Sequence, residues 1–578
     1  MLRGFLCVLC ASVVSFAADY RITARLDPSS RTLTGVVDIT FTNQGEQPLD
    51  ALRLHLYWNA FRDKNSTFMR EPRRELAAAD AGWIDITSTD PPSPIRFLAP
   101  DDGNAADRTV AELPLPQPLE PGERITVHLK FNARVPGLIA RAGCERDFCM
   151  IAQWFPKLGV VQRGLWKAAQ YHATSEFFAD FGNYEVALTV PSATVVAASG
   201  DLASEKNEGA WKTLTYRSQN VHDFAWAAWP GFRRSEDRWK NVRLEVFGPT
   251  DADPRRHFVA AKATLEWLDR NVGPYPYPRL VIVDVPLWAS EAVGMEYPTL
   301  VTTSSAGGWT SRALKLAEVI TIHEIGHQYF YGMVANNEAE EAWLDEGLTT
   351  YVEVAVAEQM FGRGLLNPSP SLLRRIELLR YPGLDSVVQP SWTYWNSGSY
   401  GAMSYAKPFY LLGTLEQMIG KEKVLAALRL YFERWKFRHP STRDLMDCFN
   451  EAAGQKLDWF LRPALYSPST VDYAVAAMDE RRVRVRRLGD LGVPVELTLH
   501  LANGSEHRVY WDGAQRWRDF PVDSGQQIAW AEVTTRPLDL NHVDNSYSRL
   551  PDRAAGVKLA ALWTFLLQHV MELIACLL

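Results

Sequence analysis

The chain is poor in cysteine, with six among 578 residues, which excludes a fold held together mainly by disulfides. It has no dense run of Lys or Arg, and its net charge of −7 gives no electrostatic basis for binding nucleic acid. It also lacks internal repeats and low-complexity tracts. Apolar residues make up 47% and charged residues 22% of the chain, which excludes disordered, collagen-like and multi-span membrane proteins. The length alone predicts about three or four domains.

Residues 1–18 have the pattern of a secretory signal peptide. Arg3 gives a positive start, and an apolar run follows from Phe5 to Val14. Small residues at Ser15 and Ala17 then occupy the positions that a signal peptidase recognises. We therefore expect cleavage near Ala17 or Ala18 and export of the mature protein to the periplasm or the extracellular space.

Two of the cysteines, Cys144 and Cys149, lie close together in the segment GCERDFC. In an oxidising compartment this spacing favours a disulfide, and a metal-binding pair is the alternative. Cys448 lies in a helical pattern and is expected to be a buried free thiol.

The hydrophobic pattern predicts a multidomain α+β protein. Residues 19–235 alternate with period two and predict an N-terminal antiparallel β-sheet domain. Residues 236–468 carry helical patterns, including a long one over 311–333, and predict a mostly helical domain with a small sheet. In residues 469–550 the alternation returns, and the hairpin signal Asn503-Gly504 predicts a small β-sandwich.

Residues 556–578 form a strongly apolar tail with a narrow polar stripe at Thr564, Gln568 and Glu572. Three interpretations compete: a helix docked on the protein's own surface, a helix lying at a membrane interface, and a spanning tail anchor. The polar residues in the middle of the tail argue against simple spanning. We therefore keep membrane-surface association through this helix as an interpretation beside docking.

The most specific motif is HEIGH, from His323 to His327. On a helix, residues four positions apart share a face, so both imidazoles can bind one metal ion. Glu324 lies about 100° away around the helix and can reach a water beside that metal. Glu346 follows His327 by 19 positions on the next predicted helix and can supply a third ligand. Two His and one Glu predict one zinc ion per chain, in a site left open to water.

Three further segments complete a resemblance to the aminopeptidase N family of gluzincin metallopeptidases. HExxH is followed by eighteen residues and Glu346, without a gap. The family's WLNEG segment is present as WLDEG, its GAMEN segment as VGMEY, and its YEKG segment as YAKP. The resemblance covers the catalytic domain and, in outline, the preceding β domain. The resemblance departs in the C-terminal part, where we expect a small β domain in place of the large helical domain of longer members.

The resemblance implies a role for each matching residue. His323, His327 and Glu346 are the implied zinc ligands, and Glu324 is the implied general base. Tyr405 is the implied hydrogen-bond donor to the oxyanion. Glu296 is implied to bind the α-amine of a peptide substrate. Gly294 and Met295 are implied to lie along the substrate backbone.

One stretch of the first domain departs from the family pattern. Many members place an acidic or amide residue for the amine two positions after a Gln. Gln153 matches that Gln and is a candidate for substrate binding, but Phe155 stands where the acid belongs. Glu176 is an alternative carboxylate, and an ordinary charge at a strand end is the competing interpretation.

The main prediction is therefore an exported zinc metallopeptidase that removes N-terminal residues from peptides. The first alternative is another zinc peptidase activity, such as that of an endopeptidase or a dipeptidase. The second is a non-catalytic peptide-binding protein of the same fold.

Overall fold

A computed structural model describes residues 18–71, 76–305, 308–362, 370–523, 525–534, 536–549 and 553–577. The predicted signal peptide lies outside these residues apart from Ala18, which begins the first strand. The chain divides into two units, the first made of Met1–Tyr381, Val387–Phe409 and Glu422–Lys456, and the second of Pro382–Ser386, Tyr410–Lys421 and Leu457–Leu578. The first unit joins the predicted N-terminal β domain to most of the predicted catalytic domain, so the boundary at residue 235 stays a prediction.

The N-terminal part of the first unit is built from short segments that alternate between buried and exposed residues. Its strands and one short helix are β1 (Ala18–Asp27), β2 (Thr32–Thr42), β3 (Leu49–His55), α1 (Thr67–Arg70), β4 (Trp83–Asp90), β5 (Arg96–Leu98), β6 (Val110–Leu119), β7 (Arg124–Arg134), β8 (Gly143–Glu145), β9 (Phe148–Ile151), β10 (Lys157–Leu158), β11 (Val160–Gln162), β12 (Leu165–Lys167), β13 (Gly182–Pro191), β14 (Val195–Ala198), β15 (Asp201–Glu208), β16 (Trp211–Val221) and β17 (Trp226–Trp229).

The largest sheet of this part has seven strands in the order β15-β16-β13-β1-β2-β7-β4. Its neighbours are antiparallel except for β1 and β13, which run parallel. Val37, Ile39 and Phe41 of β2 are buried as their alternation predicts. Two four-stranded sheets follow the orders β10-β3-β6-β5 and β14-β17-β9-β8, and β11 pairs with β12. A disulfide joins Cys144 and Cys149, which face each other in the β8–β9 hairpin.

The catalytic part alternates helices with a small sheet. Its elements are β18 (Arg233–Trp239), β19 (Val242–Gly248), α2 (Pro254–Asn271), β20 (Arg279–Asp284), β21 (Leu300–Thr303), α3 (Gly308–Ala313), α4 (Leu316–Gly326), α5 (Glu338–Glu341), α6 (Trp343–Phe361), α7 (Pro370–Arg380), α8 (Ser397–Gly401), α9 (Lys407–Ile419), α10 (Lys421–Trp435) and α11 (Thr442–Ala453). The sheet order is β18-β19-β20-β21, with the last three strands parallel.

The single long helix predicted over 311–333 is wrong. Lys315 adopts a left-handed φ of 56°, which separates α3 from α4. After Gly326 the chain turns, and the N–H of Gly332 donates to the carbonyl of His327 at 2.7 Å. Helical periodicity alone did not reveal these interruptions, because the apolar residues continue beyond the last hydrogen-bonded turn.

The second unit carries the last elements of the chain: α12 (Asp458–Tyr466), β22 (Tyr473–Met478), β23 (Arg482–Arg487), β24 (Val495–Leu501), β25 (Glu506–Trp511), β26 (Trp517–Pro521), β27 (Ile528–Val533), β28 (Ser546–Ser548) and α13 (Arg553–Leu577). The strands form two antiparallel sheets, in the orders β22-β23-β26 and β25-β24-β27-β28. The predicted hairpin at Asn503-Gly504 joins β24 to β25, with Gly504 at a φ of 83°.

The apolar tail is the helix α13. Its large side chains are exposed, including Trp563 and Leu567, each at 58%, and Met571 at 67%. Nevertheless, none of the helices in the described part of the chain has the length and hydrophobicity that a membrane crossing demands.

Candidate metal centre and active site

Three predicted metal ligands converge at one point in the first unit. The Nε2 atoms of His323 and His327 lie 3.2 Å apart, and each lies 3.2 Å from Oε2 of Glu346. These three residues are the one group of His, Cys and acidic side chains among the described residues that is close enough to hold a metal ion. His327 and Glu346 are 1% and 4% exposed, so the cluster lies below the surface.

Close packing of α4 against α6 brings the ligands together. A Cβ atom on Gly326 would lie 2.8 Å from Cγ2 of Thr349, so the absence of a side chain permits this approach. Trp343 anchors the start of α6, because its indole Nε1 donates to Oγ1 of Thr442 at 2.8 Å. His323 of α4, His327 at the C-terminal end of α4 and Glu346 of α6 therefore face each other.

In each of the two imidazoles, Nδ1 is engaged in a hydrogen bond, which leaves the Nε2 lone pair available to a metal. Nδ1 of His327 lies 3.1 Å from the carbonyl of Phe330, which can only accept, so Nδ1 carries the proton. Nδ1 of His323 lies 2.9 Å from Oε2 of Glu353 and donates to that carboxylate. Both Nε2 lone pairs then point to the cluster beside Glu346. Two imidazole nitrogens and one carboxylate oxygen fit zinc.

Glu353 is a functional residue that the sequence interpretation missed. It lies seven positions after Glu346, on the same face of α6, and that spacing was the available signal. Nη2 of Arg374 donates to Glu353 at 2.9 Å. Burial alone raises the pKa of Glu353, but Arg374 and His323 outweigh burial and bring that pKa down to about 2. Glu353 is thus a carboxylate at neutral pH and fixes the orientation of His323.

Glu324 faces a cavity beside the metal cluster and is not one of the three residues of the cluster. Its Oε2 is buried and has no hydrogen-bond partner among the described residues. Burial raises the pKa of Glu324 to about 7. A carboxylate in this state can accept a proton and release it again near neutral pH.

Tyr405 also reaches the cluster, although it lies 59 positions after Glu346. Its hydroxyl donates to Oε1 of Glu346, and its ring stacks on His323 with centroids 5.8 Å apart. Tyr405 belongs to a π-helical turn, Ala402–Ala406, between α8 and α9. Such turns often occur at functional sites, since they redirect side chains from the regular helical positions.

The Gly294–Glu296 segment lies next to Glu324, because a Cβ atom on Gly294 would lie 3.6 Å from Oε1 of Glu324. The N–H of Gly294 donates to the carbonyl of Thr302 at 3.0 Å, and Gly294 has a left-handed φ of 79°. The side chain of Gln328, next to His327, donates to the backbone carbonyl of Glu296 at 3.3 Å. This bond ties the segment to the end of α4. Glu296 is 5% exposed, and burial raises its pKa well above the usual value.

Gln153 is the predicted substrate-binding residue that the structure does not bring to the cluster. Its Nε2 donates to Asp223 at 2.6 Å, and its Oε1 accepts from Lys157 at 2.6 Å. Phe155, at the position of the missing acid, is fully buried, with its ring 5.2 Å from that of Trp154. Both polar ends of Gln153 are therefore occupied within the N-terminal part, and its role stays a prediction.

An apolar cavity of about 360 Å³ adjoins the cluster. Its lining includes Leu316, Ile320, His323 and Glu324 of α4 and Leu373 of α7. A cavity of this kind suits an apolar side chain of a bound peptide.

Comparisons with known proteins agree with this geometry. Residues 257–463 match the model described as the Peptidase family M1 domain. Aminopeptidase M1-A of Oryza sativa subsp. japonica is 23% identical over 355 residues, which are 57% of this chain and 38% of that protein. The chain therefore spans well under half the length of the curated relatives that it matches.

Two solved structures share the fold. The M1 zinc metallopeptidase from Deinococcus radiodurans superposes with a TM-score of 0.56 at 17% identity, over 78% of this chain and 95% of that chain. Legionella pneumophila aminopeptidase A, in complex with aspartic acid, gives a TM-score of 0.63 at 14% identity, over 91% of this chain and 59% of that chain. The multidomain α+β organisation, with an N-terminal sheet domain and a helical domain, is confirmed. Residues 257–463 therefore form a Peptidase family M1 domain, and the chain is similar to M1 aminopeptidases in sequence and to an M1 zinc metallopeptidase in fold.

Proposed function

We propose that the protein is a zinc-dependent aminopeptidase that hydrolyses the first peptide bond of peptides with a free N-terminus. The observation that carries the proposal is the convergence of His323, His327 and Glu346 at 3.2 Å beside two further buried carboxylates, Glu324 and Glu296. One carboxylate serves proton transfer, and the other meets the charged amine. A non-catalytic binding protein has no need of this complete set.

Each residue around the cavity has a defined task in the proposed reaction. Zinc, when bound by the three ligands, would polarise the scissile carbonyl and acidify the attacking water. Glu324 takes a proton from that water and passes it to the leaving amine. Tyr405 donates its hydroxyl hydrogen bond to the carbonyl oxygen as negative charge develops there. Glu296 binds the α-ammonium of the first residue, and the Gly294-Met295 edge lies along the substrate backbone.

A product profile on matched peptides tests the proposal. We expect the zinc-loaded protein to release single residues from a peptide with a free N-terminus and to leave the same peptide intact when it is acetylated. Cleavage within the acetylated peptide would favour an endopeptidase, and release of two-residue units would favour a dipeptidyl activity. Hydrolysis of neither peptide by zinc-loaded protein would favour a non-catalytic binding protein.

Tyr405→Phe is expected to lower kcat by about a hundredfold with little change in KM. The reason is that its hydrogen bond strengthens only as charge develops on the carbonyl oxygen. Steady-state kinetics with a chromogenic aminoacyl substrate measure both constants, and Tyr381→Phe is a matched control outside the cluster. A wild-type rate for Tyr405→Phe would transfer the role to Tyr400, whose hydroxyl is also buried.

We also propose that the mature protein is exported, to the periplasm or the extracellular space, and that the two sheets of the second unit form a β-sandwich. The residues that support export are the apolar run and small residues of 1–18. The exposed apolar side chains of α13 would give the exported protein a means of binding a membrane surface.

Deletion of residues 556–578 is expected to leave kcat/KM on small substrates within about twofold of the full chain, since α13 supplies no residue of the metal cluster. Sedimentation with lipid vesicles should fall in the same variant, because the exposed apolar surface is removed. Unchanged vesicle binding would reject the membrane role, and lost hydrolysis in a folded, zinc-loaded variant would place the tail in the active site.

A further inference from the structure

The helix α7 exposes most of its large apolar side chains. Leu372, Leu373, Ile376 and Leu379 are each between 48% and 58% exposed, whereas Leu378 on the other face is buried. Positions 372, 376 and 379 share one face of a helix, and Leu373 lies at the edge of that face. A helix on the surface of a globular protein normally turns such a face inward. We call these four exposed residues the apolar strip.

Ion pairs near the metal cluster hold α7 in this orientation. Nη2 of Arg374 donates to Oε2 of Glu353 at 2.9 Å, and Nη1 donates to Glu377 at 3.2 Å. The guanidinium of Arg374 also lies 5.3 Å from the ring centroid of Tyr405. A rotation of α7 that buried the apolar strip would withdraw Arg374 from Glu353, which orients His323. The exposure of the strip therefore follows from contacts that the active site needs.

The apolar strip is continuous with the cavity beside the metal cluster. Leu373 belongs to the strip and lines that cavity together with His323 and Glu324. Ile376 and Leu379 lie further along α7, outside the lining of the cavity. From Leu373 to Leu379 the helix rises by about 9 Å. This distance corresponds to about three residues of an extended peptide.

We propose that the apolar strip binds apolar side chains of the peptide substrate, from its third residue onward. This inference rests on the proposed aminopeptidase function. Only the N-terminal end of a peptide enters the reaction, so the rest of its chain has to leave the cavity, and the strip offers an apolar surface at that point. Exposed apolar surface of this kind marks a binding site for a protein or a ligand. The preferred substrates are then peptides with apolar residues beyond the second position.

Two peptides that differ only beyond the second residue test the proposal. Leu-Ala-Leu-Ala-Leu and Leu-Ala-Ser-Ala-Ser have the same scissile bond, and in each the third and fifth side chains of an extended chain point the same way. We expect zinc-loaded wild-type protein to release leucine from the first with a kcat/KM about tenfold higher, mainly through a lower KM, because apolar surface leaves water. The double variant Ile376→Ser with Leu379→Ser should bring the ratio of the two kcat/KM values to within about twofold of one.

The matched control is Val259→Ser, which replaces an apolar residue of α2 that is 58% exposed, and it should keep the wild-type ratio. If the double variant keeps that ratio, or if wild-type protein shows no preference for the apolar peptide, the assignment of the strip is wrong while the proposed function stands. Loss of self-association or of lipid-vesicle binding in the double variant, with the ratio unchanged, would assign the strip to a second copy or to a membrane. If wild-type protein releases leucine from neither peptide, the proposed function fails, and this inference with it.

Discussion

Glu324→Gln is expected to keep one zinc ion per chain and to lose hydrolysis by about a hundredfold to ten-thousandfold. Glutamine preserves the size of the side chain and cannot accept the proton of the attacking water. Metal binding should persist, because Glu324 lies outside the cluster formed by His323, His327 and Glu346. Metal analysis of the purified variant and steady-state kinetics on the same preparation measure both quantities.

Glu266→Gln, on the exposed side of α2, is the matched control and should show the wild-type rate and zinc content. Two results would contradict the role assigned to Glu324. The first is a near-normal rate in the zinc-loaded variant. The second is loss of zinc together with loss of rate, which would make Glu324 a determinant of metal binding instead of a base.

Glu346→Ala is expected to remove zinc and hydrolysis together. The variant deletes one of three ligands and leaves two His that lie 3.2 Å apart with no carboxylate between them. We expect the zinc content to fall below about a tenth of the wild-type value after dialysis against a weak chelator, and the rate to fall in proportion. The thermal midpoint of the metal-free wild-type protein is the reference for folding.

Glu340→Ala, six positions earlier and on the surface, controls for the loss of a glutamate from the same segment. It should retain zinc, because its carboxylate pairs with Lys167 at 2.9 Å and does not approach the cluster. Full zinc retention by Glu346→Ala would mean that another carboxylate completes the site, and Glu353, which contacts His323, is a candidate.

The metal cluster could be predicted from sequence because its geometry is local. His323 and His327 share a helix, where their spacing alone places both imidazoles on one face. The prediction for Glu346 required one further assumption, namely that the next predicted helix returns antiparallel to the first. The β-strand alternation was readable for the same reason, since a period of two identifies a buried face without knowledge of the partner strand.

The surroundings of the cluster depend on contacts that no local pattern encodes. Glu353 was readable in principle from its spacing to Glu346, but its partner Arg374 lies on α7, beyond the end of α6. Arg141 comes from a two-residue turn in the first domain, and neither its left-handed backbone nor its contact with Glu176 leaves a periodic signal. Gln153 is the opposite case. The motif selected it as a site residue, but buried neighbours already occupy its polar groups.

The parallel strands β19 and β20 imply that the family boundary does not coincide with a unit that can fold alone. The family match begins at residue 257, inside α2 and after β19. A fragment that began there would turn β20 into an unprotected edge, with the hydrogen-bonding groups of Arg279–Asp284 open to association with other chains. A recombinant catalytic fragment therefore has to begin no later than β18, at Arg233, so that β19 remains to cover β20.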